Sequence, residues 1–177
     1  MEWTRENLLD RVLDHYSVYY DVARCDASDA PLMARAAFHE HGTGYALIRK
    51  AEMWSADRHE YAFFFSVPHL TREIYETCLA QTRTLGEPLV DPVSGHMSTF
   101  LVAIFLCESV DSDAVKALKT CRIRKSFQFS LKGWMEVHTA AVDLGKDTVV
   151  GNAAGRNTVK FLKSLLHPKV RHITRRK

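Results

Sequence analysis

A chain of 177 residues is long enough to bury roughly two-thirds of the surface that its unfolded form exposes. With 46% hydrophobic and 25% charged residues the composition argues against wholesale disorder, and the longest apolar runs, residues 61–65 and 100–107, fall far short of the roughly 20 residues that a membrane-crossing helix needs. The net charge of +3 hides an asymmetry: no acid follows Asp147, whereas Arg156, Lys160, Lys163, Lys169, Arg171, Arg175, Arg176 and Lys177 are all basic.

The opening Met1-Glu2-Trp3-Thr4-Arg5-Glu6-Asn7 has acids and no apolar core of a secretory signal, so a cytosolic location is expected. In chain order, Leu8, Leu9, Val12, Leu13, Tyr16, Tyr19 and Tyr20 recur at helical spacing, predicting a helix from Thr4, its cap, to about Val22. The loop 25–31 follows, because Asp26, Ser28 and Asp29 compete for backbone hydrogen bonds and Pro31 removes one. Residues 32–41 and 45–54 read as a hairpin around Gly42-Thr43-Gly44, and the aromatic run at 60–67 reads as a third strand that Pro68 stops.

Thr71 opens a second helix that ends at Gly86, residues 97–107 suit a central strand buried on both faces, and Asp111 or Ser112 caps a third helix ending near Cys121. Phe127, Phe129 and Leu131 alternate with polar residues, the signature of a half-buried strand starting at Lys125, with Gly133 as a bulge or turn. The strand 134–143, a turn at 144–147, the strand 148–150 and a helix capped by Asn157 complete the chain. The expectation is one domain over residues 1–177 with a basic tail at 168–177. Its class is α+β, a mixed and mainly antiparallel sheet with flanking helices in the order α-β-β-β-α-β-α-β-β-β-α.

Candidate sites follow from residue type. Arg122, Arg124, Lys125 and Lys132 surround Phe127, Phe129 and Trp134, a basic-aromatic grouping able to meet nucleic acid, although aromatic residues at period 2 are expected to face the core. The tail cations Lys169, Arg171, Arg175 and Arg176 attract phosphates by releasing counterions. His39 and His41 share one face of a strand and could chelate a metal if His59, His69, His96 or His138 converged on them. The opening element order is similar to that of restriction-endonuclease-like folds, but Glu60-Tyr61-Ala62 lacks the lysine their chemistry needs and the second strand offers Glu52 alone. Ser94 to Thr99 contains no nucleophile elbow, Glu136 with His138 and Asp143 with Asp147 are candidate acid-base pairs of a kind that ordinary surface strands also carry, and the segment 152–157 matches neither phosphate-loop pattern. The widely separated Cys25, Cys78, Cys107 and Cys121 fit neither a disulfide scaffold nor a CxxC pair. No cofactor is expected.

The run 54–61 from Trp54 to Tyr61, with His96-Met97-Ser98, Lys125-Ser126-Phe127, Lys132-Gly133-Trp134 and Val142-Asp143-Leu144, resembles the corresponding segments of a small uncharacterised bacterial family. The resemblance spans roughly residues 5 to 160, leaves the basic end outside, and implies no activity, cofactor or binding residue. The leading expectation is therefore a non-catalytic cytosolic binding or regulatory domain for nucleic acid or another polyanion, off the membrane, with a homodimer as an open option. The alternative is a metal-dependent hydrolase, nuclease-like, using His39 and His41.

Overall fold

Helix α1 (Arg5–Tyr16) begins where Thr4 and Asn7 satisfy each other: the Asn7 N-H donates to Thr4 Oγ1 at 3.2 Å and the Thr4 N-H donates to Asn7 Oδ1 at 2.9 Å. Leu8, Leu9, Val12, Leu13 and Tyr16 form its buried stripe. The computed structural model describes residues 3–40, 57–93, 96–129 and 131–168, leaving aside the side chains of His39, Glu40 and Asp57. The helix stops short of the expected Val22. The N-H groups of Tyr19 and Tyr20 both return to Tyr16 O, closing a turn, and Asp21–Arg24 becomes β1 because pairing with the next strand outweighs local helical spacing.

Strands β2 (Leu32–Glu40) and β3 (Asp57–Leu70) pair antiparallel, with Phe38 opposite Glu60 and Ala36 opposite Ala62. The expected hairpin turn and the strand at 45–54 lie outside the described residues. β3 runs through Pro68 rather than stopping there. Its pairing with β2 ends at Leu32 opposite Phe65, so the missing proline N-H falls where no ladder partner is needed.

Helix α2 (Arg72–Gly86) starts at Thr71, whose Oγ1 accepts the Ile74 N-H at 3.3 Å. Strand β4 (His96–Val110), helix α3 (Ser112–Thr120), strands β5 (Arg124–Ser126), β6 (Trp134–Asp143) and β7 (Thr148–Gly151), and helix α4 (Arg156–Leu166) follow. The sheet order is β1-β2-β3-β4-β6-β5, with β7 on the same border of β6 as β5. β3, β4 and β6 run parallel and the remaining pairings are antiparallel, an α+β architecture with a mixed sheet of seven strands among the described residues.

Helices α1 and α4 cover one face through Leu8, Val12, Leu162 and Leu165 against Phe64, Val102 and Ile104. Helices α2 and α3 cover the other through Tyr75, Cys78, Ala114 and Leu118 against Phe63, Phe65 and Phe105. Leu101 to Cys107 is buried on both sides, as its unbroken apolar character requires.

Two further expected features change. The strand expected from Lys125 breaks after Ser126: the Phe127 N-H donates to Gly133 O, the Lys132 N-H donates to Phe127 O, and Gln128 and Phe129 take left-handed backbone angles, so the chain reverses in a hairpin. Helix α4 starts one residue before Asn157. Gly155 precedes it, with its N-H held by Asn152 Oδ1 at 2.7 Å and no room for a Cβ, which would lie 2.7 Å from Thr139 O.

Asn152 also bridges the border of β6 between β5 and β7. Its Oδ1 accepts the Thr139 N-H at 3.1 Å, and its Nδ2 donates to Val137 O at 2.9 Å and Cys121 O at 3.1 Å. The amide thus supplies what a paired strand would.

Candidate anion-binding hairpin

The β5–β6 hairpin gathers the four rim cations. Arg124 and Lys125 lie on β5, whose three residues are all exposed; Arg122 precedes it, exposed, and Lys132 stands half-buried at the return. Cross-strand register sets Arg124 opposite Glu136 and Ser126 opposite Trp134. The Arg124 guanidinium lies 4.9 Å from the Trp134 ring centre and Lys125 Nζ lies 5.6 Å from that of Phe127, so aromatic faces orient both cations. Among the described residues no ion pair engages Arg122, Arg124, Lys125 or Lys132.

Phe127 packs against Leu101, Met135 and Val137, as an inward-facing aromatic should. Phe129 does the opposite of what the alternation suggested: it is fully exposed, and Leu131 is 84% exposed. The left-handed angles at Gln128 (φ 47°) and Phe129 (φ 54°) turn the chain away from the sheet, so period 2 here belongs to a loop.

The base of the hairpin is fastened to the start of β4. His96, 5% exposed, donates its Nδ1-H to Lys132 O at 2.8 Å, leaving Nε2 to accept the Thr99 hydroxyl at 2.9 Å. Gly133 (φ 72°) lies so close that a Cβ would collide with Met97 O and come within 2.7 Å of His96 Nδ1. His96 is thereby a clasp with both nitrogens occupied.

Beside the hairpin, the register aligns Phe38, Glu60, Phe100, Glu136 and Arg124 in one row across the sheet. Burial pushes the Glu60 carboxyl above its ordinary value of 4.5, while the Tyr20 hydroxyl donates to it and favours the ionised form. Burial pulls His138 below its ordinary 6.5, against the opposing influence of Glu136 at 3.6 Å, and its ring stacks on Phe100 at 4.7 Å. The backbones of Glu60 and Glu136 lie two strand spacings apart, about 10 Å, with Phe100 between them in the register.

Among the described residues, the histidines offered as further metal donors do not gather at one place. His41 and the side chain of His39 lie outside the described residues. His59 stacks on the clasp residue His96, His138 sits on the opposite face, and no group of three donor residues able to hold an ion occurs among the described residues. His69 occupies the far end of the sheet, where Ser109 Oγ lies 2.6 Å from its Nδ1 and Asp111 Oδ1 lies 3.1 Å from its Nε2. That trio was not readable in advance, because only the parallel register of β3 on β4 brings His69 beside Ser109. His69 and Asp111 are exposed and Ser109 is half-buried, and the three form a hydrogen-bonded chain at the strand ends.

Buried Asp143 accepts the Val110 N-H at 3.1 Å and the Lys146 N-H at 3.0 Å, holding the β6–β7 turn, while Asp147 pairs with His167 at 3.4 Å. On α4, exposed Arg156, Lys160 and Lys163 line a cleft of about 290 Å³ with Asn152, extending the basic character of this side of the molecule. Lys169, Arg171, Arg175 and Arg176 lie outside the described residues. Residues 4–164 match the family described as a domain of unknown function, DUF8052.

The chain belongs to the DUF8052 family. The match takes in both faces of the sheet, the clasp residue His96 and the whole hairpin, and stops before the cations at 169–177. No curated protein and no solved structure matches the chain. No described helix is long and apolar enough to cross a membrane.

Proposed function

We propose that this DUF8052 domain is a non-catalytic binding domain for a polyanion, nucleic acid above all, and that the β5–β6 hairpin is its contact surface. The observation that carries the reading is the fully exposed Phe129 at the tip of a hairpin whose Arg122, Arg124, Lys125 and Lys132 form no ion pair among the described residues. Cations without partner acids leave their field to a ligand, and each phosphate they neutralise releases condensed counterions. The stripe on α4 and the basic residues beyond it add to the same attraction.

Heparin chromatography and titration of a labelled oligonucleotide at stepped salt test the reading. Affinity is expected to fall steeply with salt. The slope of log K against log salt should flatten by about 0.7–0.9 for each phosphate contact removed with Arg124→Ala, Lys125→Ala or deletion of residues 168–177. Retention that ignores salt and these changes would reject it.

A further inference from the structure

Resting on that reading, we infer that the hairpin takes a single-stranded nucleic acid and that the Phe129 ring is a stacking platform for one of its bases. Charge alone attracts any polyanion, so the distinguishing feature is the aromatic ring. Bases inside a duplex are already stacked on one another, whereas an unpaired base presents a free face that gains from a protein ring whatever its sequence.

The hairpin is built to present that ring. Phe129 is fully exposed, and its own backbone and that of Gln128 both occupy the left-handed region, a conformation that L residues avoid. Such backbone persists where the surroundings impose it. The imposition is visible at the base: His96 holds Lys132 O, Gly133 fits against Met97 O, and Phe127 is sunk among Leu101, Met135 and Val137. With the backbone beneath it fixed in advance, the tip has less main-chain freedom to lose when a base settles on the ring.

Arg124 and Lys125, steadied over Trp134 and Phe127, stand on the strand leading to the tip, where the phosphates flanking a stacked base would pass. An anionic lipid surface is the competing destination, since Leu131 is also exposed. Two apolar side chains bury less than even the single acyl chain that gives only marginal membrane attachment, whereas a base needs one ring.

Fluorescence anisotropy with labelled single-stranded oligo(dT) and oligo(rU), a duplex of equal length, and vesicles with and without phosphatidylserine decides among these. Single strands are expected to bind more tightly than the duplex. Phe129→Ala should weaken single-strand binding about 5- to 100-fold with the salt slope unchanged, and Phe129→Trp should restore it. Arg124→Ala with Lys125→Ala should instead flatten the slope. Because Phe129 touches solvent alone, its variants should melt with the parent, which checks that folding is intact. Equal affinity for single strand and duplex, indifferent to Phe129→Ala, overturns the inference while the polyanion reading stands. Absence of oligonucleotide binding overturns both, and vesicle binding abolished by Phe129→Ala reassigns the tip to lipid.

Discussion

Asn152 illustrates how one side chain can stand in for missing backbone. Replacing it with Ala strips partners from the Thr139 and Gly155 N-H groups and from the Val137 and Cys121 carbonyls, in a place where Asn152 itself is 4% exposed. Asn152→Ala is expected to cost about 2–4 kcal/mol, measured by urea unfolding, because buried polar groups left unpaired bear their full desolvation penalty. Glu60 and His138 predict opposite responses to pH. Glu60 binds its proton more tightly folded than unfolded, so its contribution to stability is intact below pH 4.5 and declines as pH rises through its raised folded value. Glu60→Gln should therefore melt higher than the parent at neutral pH, with the gap closing toward pH 4.5. His138, held below 6.5, gives stability present above that pH and lost as pH falls through its lowered folded value, and His138→Gln should remove this acid limb in thermal melts across the same range. The basic residues of the rim could be singled out from the sequence because charge is a property of the residue. The shifts at Glu60 and His138 could not, because burial is conferred by neighbours.

At the scale of elements, the hairpin depends on one glycine. Gly133→Ala forces a left-handed alanine into a space already filled by Met97 O and His96, and should lower stability by about 1–2 kcal/mol or more in denaturant unfolding. If the tip is positioned by that fit, the same variant should also weaken oligonucleotide binding. The helix starts at Thr4 and Thr71 were legible because a cap is written in adjacent residues, the third start was narrowed to Asp111 or Ser112, and β4 was legible because few other elements tolerate eight apolar residues in a row. Tyr19, Tyr20 and Val22 misled because their spacing suits a helix until β2 offers Asp21–Arg24 a partner. Phe129 misled for a similar reason: alternation does not separate a strand from a hairpin tip, and the deciding contact joins His96 to Lys132, 36 residues along the chain.

For the whole molecule, the sheet's two covered faces predict how its thiols behave. Cys78 is buried beneath α2 and its thiol is pushed up to about 11 by burial, while burial in β4 raises Cys107 still further. At mildly alkaline pH both should resist a thiol reagent until denaturant is added, leaving only the half-buried Cys25 and Cys121 open to slow native labelling. The mixed α+β class was foreseeable from the succession of periodicities, whereas the parallel pairing of β3, β4 and β6 was not, since nothing local specifies which strands become neighbours. The borders of this sheet have a consequence of their own. One rim ends in the four residues of β1 and the other in the three of β5, with the amide of Asn152 and then β7 finishing the latter. Along these described borders a stray chain would find only short rows of vacant backbone groups, and cations bristle along the shorter one. Short, charged borders of this kind oppose edge-to-edge zipping beside the exposed ring of Phe129.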